Sequence, residues 1–94
     1  MNMIKKTAVP RRNESIVVEK ILDDEIILYN KTNHTIHSLN KTAGVVWDLC
    51  DGTMPVGEMI SFLAGQFKGN NKVIEEDVKK TLQEMCDKNL ITLE

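Results

Sequence analysis

Aromatic residues are scarce: Trp47, Tyr29, Phe62 and Phe67 are the whole set in 94 residues. The core must therefore be assembled from Val, Ile, Leu and Met, and a chain this short has little left over for a deep substrate cavity. Arginine is absent after Arg12, and histidine is limited to His34 and His37. The two cysteines, Cys50 and Cys86, have no Cys or His neighbour at metal-ligand spacing. There is no glycine-rich phosphate loop and no Ser/His/Asp grouping. No apolar run reaches membrane-spanning length, and residues 1–10 lack the apolar middle of a signal peptide. These absences point away from catalysis, metal binding and membrane insertion. They lead to the expectation of a cytoplasmic chain with reduced core thiols, a Cys50–Cys86 disulfide being the alternative.

What is present is unevenly charged. Residues 1–14 carry Lys5, Lys6, Arg11 and Arg12 against Glu14 alone, a local +3, so the remainder holds −5 of the formal −2. Pro10, the arginine pair and Asn13 interrupt any periodicity, and the stretch 1–14 is expected to be a basic, flexible tail. One folded domain is then expected over 15–94.

Within that domain SIVVEKIL (15–22) is β-branched and partly alternating, EIILYN (25–30) is a second strand, and TIHSLN (35–40) is a third. Asp23-Asp24 and Lys31-Thr32-Asn33 supply the turns, which predicts an antiparallel meander. Past Asn40 the period lengthens. Ala43, Val46, Trp47 and Cys50 fall at i, i+3, i+4 and i+7, with Asn40 or Thr42 as N-cap and Gly52 as a left-handed stop. Pro55 suits the opening turn of a second helix whose stripe is Val56, Met59, Ile60, Leu63, Ala64 and Phe67. Gly69-Asn70-Asn71 breaks the chain. A third helix from about Val73 to Lys88 turns Ile74, Val78, Leu82 and Met85 inward, with Glu75, Glu76 and Asp77 in its opening turn complementing the helix dipole. Leu90–Leu93 can extend as a last strand. The order is βββααα, an α+β winged-helix-like fold with a three-stranded antiparallel sheet packed on three helices.

Three functions are conceivable for these residues. A metal site at His34 and His37 fails because i, i+3 on a strand sends the rings to opposite faces. Asp48, Asp51 and Glu58 are explained as turn and helix-terminus residues. DNA binding, the winged-helix alternative, needs a basic recognition helix. The third helix instead sets Glu75, Glu76, Asp77, Glu84 and Asp87 against Lys79, Lys80 and Lys88, so nucleic acid is disfavoured. Recognition of another polypeptide remains, because the meander leaves strand edges that pair with extended chains. Edge-to-edge homodimerisation would use the same surface.

The segment TIHSLNKTAGVVWDLCDG (35–52) resembles the signature of the PqqD family, whose relatives are the RiPP recognition elements. The pattern falls on Ile36, His37, Leu39, Asn40, Thr42, Ala43, Val46, Trp47, Leu49, Asp51 and Gly52. Glu76-Asp77-Val78 entering the third helix and Leu90-Ile91 extend the likeness over about 15–94. The resemblance implies a domain without cofactor or catalysis. Such a domain binds the leader of a ribosomally made precursor peptide as an added strand and presents it to a tailoring enzyme, commonly a radical SAM enzyme. It further implies that the peptide lies along Thr35, Ile36, His37, Ser38, Leu39 and Asn40 and against Ile74, Val78, Lys79, Leu82 and Met85. Two departures stand out: the basic arm has no role in the pattern, and Pro55 stands where a capping Ser or Thr is usual.

Overall fold

The computed structural model describes residues 4–66 and 70–94. Its elements run β1 (Pro10–Arg12), β2 (Ile16–Ile21), β3 (Glu25–Asn30), β4 (Ile36–Asn40), α1 (Lys41–Leu49), α2 (Val56–Gln66), α3 (Asn71–Asp87) and β5 (Ile91–Leu93). The expected meander forms: β2, β3 and β4 make an antiparallel sheet in that order, followed by three helices. Phe67 and Gly69, expected in the second helix and the break after it, lie outside the described residues.

The β3–β4 connection is held by one buried polar residue. Asn30 Oδ1 accepts the backbone N–H groups of Thr32 (2.9 Å) and Asn33 (3.3 Å), and His34 takes a left-handed φ of 61°. His34 is therefore a turn residue, its Nδ1 2.6 Å from the Tyr29 hydroxyl. At the other end β4 passes into α1 with no intervening loop. Asn40 supplies the cap expected of it, its Oδ1 accepting the Ala43 N–H at 2.8 Å. Gly44 lets α1 approach the sheet closely, since a Cβ there would lie 2.6 Å from Ile26 Cδ1.

Trp47 joins Leu28, Leu39, Val46, Met59, Leu82 and Met85 in a single core between sheet and helices. Cys50 is fully buried, donates its S–H to the Val46 carbonyl and is not bonded to Cys86. Burial pushes the Cys50 thiol from 9.0 up to about 12, with Arg12 opposing and Cys86 and Asp51 adding to the rise.

The N-terminal stretch departs from the expected flexible tail. Pro10, Arg11 and Arg12 pair antiparallel with Leu93, Thr92 and Ile91, and both Ile4 and Pro10 are buried. Val9 and Glu94 exchange two backbone hydrogen bonds of 2.8 and 3.0 Å. The arm also explains the missing cap at Pro55. Helix N-termini leave N–H groups without intrahelical partners, and here the Val56 and Gly57 N–H groups donate to the Ala8 and Lys6 carbonyls, both at 2.9 Å. Backbone oxygen does the work of the usual Ser or Thr.

Arg12 is the counterpart at the far end of α1. Its Nη1 donates to the carbonyls of Asp48 (2.7 Å) and Trp47 (3.3 Å), and its guanidinium lies 5.9 Å from a Trp47 ring centroid. A cation bonded to the last carbonyls of a helix complements its dipole. The helix itself stops at Leu49, with Cys50 as its cap, so Gly52 (φ 83°) turns the following loop rather than ending the helix. In α3 the acidic triplet also falls later than expected. Asn70 Oδ1 accepts the Lys72 N–H at 2.8 Å, which starts the helix at Asn71 and moves Glu75, Glu76 and Asp77 out of the first turn.

Candidate functional site: the open edge of the sheet and the clefts along the third helix

Among the described residues β4 is an edge strand, paired with β3 alone. The Asn30 N–H donates to the Thr35 carbonyl at 2.9 Å, and the register continues Tyr29↔Ile36, Leu28↔His37, Ile27↔Ser38 and Ile26↔Leu39. Hydrogen-bonded and non-bonded pairs alternate in an antiparallel ladder. His37 and Leu39 thus direct their main-chain groups to β3, while Ile36 and Ser38 turn theirs to the open edge.

Side chains alternate as well. Ile36, opposite Tyr29, is 68% exposed on the outer face. Ser38 donates its hydroxyl to Glu25 Oε2 at 2.8 Å on that face. His37 and Leu39 point inward. The Thr35 hydroxyl sits 2.6 Å from Asn33 Oδ1 and 2.8 Å from His37 Nε2, which stiffens the start of the strand.

Beside this edge runs α3. A cleft of about 100 Å³ opens between them, lined by Ser38, Leu39 and Asn40 from β4 and by Thr81, Glu84, Met85 and Lys88 from the helix. A second cleft of about 160 Å³ continues past the end of the strand, walled by Thr42 and Val46 of α1, Leu63 of α2, and Ile74, Asp77, Val78 and Thr81 of α3. Thr81 borders both.

The structure therefore brings together Ser38, Leu39, Asn40 and Met85 at the first cleft and Ile74 and Val78 at the second. Thr35, Ile36 and His37 lie further along the same strand. Two expected site residues fall elsewhere. Leu82 is 0% exposed and belongs to the core. Lys79 sits on the opposite flank of α3, bonded to Glu75 Oε2 at 3.2 Å, while Glu75 Oε1 meets Lys6 at 3.0 Å. One residue along a helix is about 100° of rotation, enough to move a side chain from groove to flank. Hydrogen bonding from Lys6, then from Lys79, holds the Glu75 carboxyl below its ordinary range. Thr42, Asp77, Thr81, Glu84 and Lys88 also line the clefts. For those along the third helix the signal is the i, i+3, i+4 series through 74, 77, 78, 81, 84, 85 and 88.

The arrangement offers main-chain hydrogen-bonding groups along an edge, apolar hollows beside it and a mixed-charge rim. Among the described residues no group of three His, Cys, Asp or Glu side chains converges as a metal site, and no helix is long and apolar enough to cross a membrane.

Two solved structures share this architecture. TbiB1, solved in complex with the TbiA(beta) leader peptide, superposes with a TM-score of 0.75 at 18% identity, covering 86% of this chain and 93% of its own. A lasso peptide synthetase B1 complexed with the leader peptide gives 0.77 at 16% identity, covering 90% and 99%. At such identities the likeness is one of fold. No curated protein sequence matches the chain. The sequence profile of the family described as Coenzyme PQQ synthesis protein D (PqqD) matches residues 25–91, the span holding the β3–β4 hairpin, both clefts and the start of β5: the chain belongs to the PqqD family.

Proposed function

We propose that this domain binds the leader segment of a ribosomally made precursor peptide by adding it as a strand to the β4 edge, and presents it, without chemistry of its own, to a tailoring enzyme such as a radical SAM enzyme. One observation carries the reading. The open edge at Ile36 and Ser38 runs directly alongside an α3 wall that is hollowed rather than packed shut. Strand addition draws affinity from main-chain hydrogen bonds and sequence choice from pockets for alternate side chains, and both components lie side by side here. Family membership and the leader complexes of the two similar folds support the same reading. The site is Thr35–Asn40 with Thr42, Ile74, Asp77, Val78, Thr81, Glu84, Met85 and Lys88; Leu82 supports it from the core.

The test is an NMR titration of the labelled protein with the leader of the precursor peptide encoded beside its gene. Saturable amide shifts over residues 36–42 and 77–88 are expected. Shifts confined to Lys5–Arg12, or none, would overturn the proposal for that peptide. Strong affinity for duplex DNA that falls steeply with salt would favour the winged-helix alternative. Concentration-dependent broadening of β4 without any peptide would favour edge-to-edge dimerisation.

A further inference from the structure

The β2–β3–β4 sheet has two faces, and α1 packs on one of them. Gly44 lies against Ile26, and Leu28 and Leu39 turn to the same core. An antiparallel sheet with one wet side normally alternates apolar inward with polar outward. The outer face here breaks that rule. Its register sets Val17, Tyr29 and Ile36 side by side in one row across all three strands, and Ile27 in the next row between Lys20 and Ser38. Ile36 is 68% exposed, and Val17, Ile27 and Tyr29 are half-buried. Tyr29 is also held in place: its hydroxyl is 2.6 Å from His34 Nδ1, with the rings 6.1 Å apart. An aromatic ring fixed before binding loses little freedom on contact, which suits it to anchor an interface.

The size of this face says what can cover it. Strands about 4.8 Å apart and rows about 6.8 Å apart make its apolar part on the order of 200 Å², whereas a stable complex buries about 800 Å² on each partner. Alone it is too small to hold a second copy of the chain. A partner engaged with the leader has two advantages over that copy. A leader paired with Ile36 and Ser38 sets the residues directly across from them on this same outer face, so the rows lengthen from three strands to four. An enzyme acting further along that peptide is also tethered to the domain through it, and a weak contact then gains from a high effective concentration.

We propose that the outer face of the sheet, centred on Val17, Tyr29 and Ile36, is the docking surface for the tailoring enzyme, and that the outward side chains of the bound leader complete it. The enzyme thereby prefers the loaded domain to the empty one. The inference rests on the strand-addition reading; the side chains that turn toward α3 play no part in it.

The test uses labelled protein titrated with the tailoring enzyme encoded beside its gene, first without leader and then saturated with it. Val17, Ile27, Tyr29 and Ile36 should shift or broaden, and the leader should tighten enzyme binding by about tenfold or more. Val17→Lys lies on the strand farthest from the added peptide. It should weaken enzyme binding by about tenfold, as loss of an interface anchor does, and leave leader affinity unchanged. Ile36→Thr keeps a β-branched residue in the strand and should weaken enzyme binding in the same direction. Phe62→Lys, at a 45% exposed apolar position on α2, should alter neither affinity. Unchanged amide spectra of the free variants verify their folds. Absent enzyme binding, or binding indifferent to Val17→Lys, overturns the proposal; strand addition survives that result if the leader alone shifts residues 36–42. A leader that shifts none of those residues rejects strand addition instead, and with it the preference for the loaded domain, while sensitivity to Val17→Lys still upholds the dock. A dimer of the free protein that Val17→Lys dissolves would assign the face to a second copy and overturn the enzyme dock.

Discussion

Two adjacent arginines make a sharp test of whether the N-terminal arm is part of the fold. Arg12 bonds two carbonyls at the end of α1 and lies over Trp47, whereas Arg11 makes a 3.4 Å ion pair with Glu94 between half-exposed side chains. Arg12→Ala removes charge-assisted hydrogen bonds, a favourable charge at a helix C-terminus and a cation–π contact. Hydrogen bonds to charged groups are worth about 1.5–3 kcal/mol, the low end applying here because the shorter of the two is exposed, and the other two contributions about 0.3–1 kcal/mol each. Because these contributions share one guanidinium they are not additive, and a net loss of about 2 kcal/mol is expected. In urea that corresponds to a midpoint lowered by roughly 1.5 M for a small domain. Arg12→Lys should recover only part of the loss, since an ammonium keeps the charge but not the planar fork or the stacking. Arg11→Ala should cost less than about 0.5 kcal/mol, as exposed ion pairs do. Equal and small effects from the two alanine variants would refute the docked arm and restore the loose tail.

Other consequences can be measured independently. Leu82→Ala should destabilise by about 3 kcal/mol through cavity formation. The Glu75 carboxyl is held below its reference value of 4.5, so the folded state binds that proton less readily than the unfolded chain. Its stabilisation is present above pH 4.5 and is lost as pH falls through the lower folded value; Glu75→Gln should flatten acid unfolding curves over that window. Cys50 behaves in the opposite sense. With its thiol pushed from 9.0 up to about 12, the unfolded chain gives up the proton first, so stability falls as pH rises above 9. At neutral pH iodoacetamide should label half-buried Cys86 well before Cys50, and comparable labelling rates in the native state would contradict the packing of α1.

The sheet and helices were legible because each is written in its own local period: β-branched alternation from Ile16 to Asn40, then the i, i+3, i+4 stripes. β1 was not, because three residues that begin with proline carry no period, and their partner lies at the other end of the chain. The candidate site was legible as a strand and a helix but not as a surface. Ile74, Val78, Leu82 and Met85 share one spacing, yet two of them wall the second cleft, one borders the first and Leu82 lines neither. Which is which depends on how α1 and α2 cover the helix. That Asp77 lines a cleft while Lys79 pairs with Glu75 has the same cause: rotation about α3 is set by its neighbours.

The pairing of β1 with β5 bears on kinetics. Arg12 and Ile91 are 79 positions apart, while the β2–β3–β4 meander and the helices close through short loops. Loop-closure entropy favours short-range contacts first, so the two terminal strands should meet after the rate-limiting barrier has been crossed. Contacts formed that late retard unfolding and leave the folding rate nearly untouched. The clasp between the chain ends thus governs how long a folded molecule persists, and a weakened arm should shorten that lifetime while refolding keeps its pace.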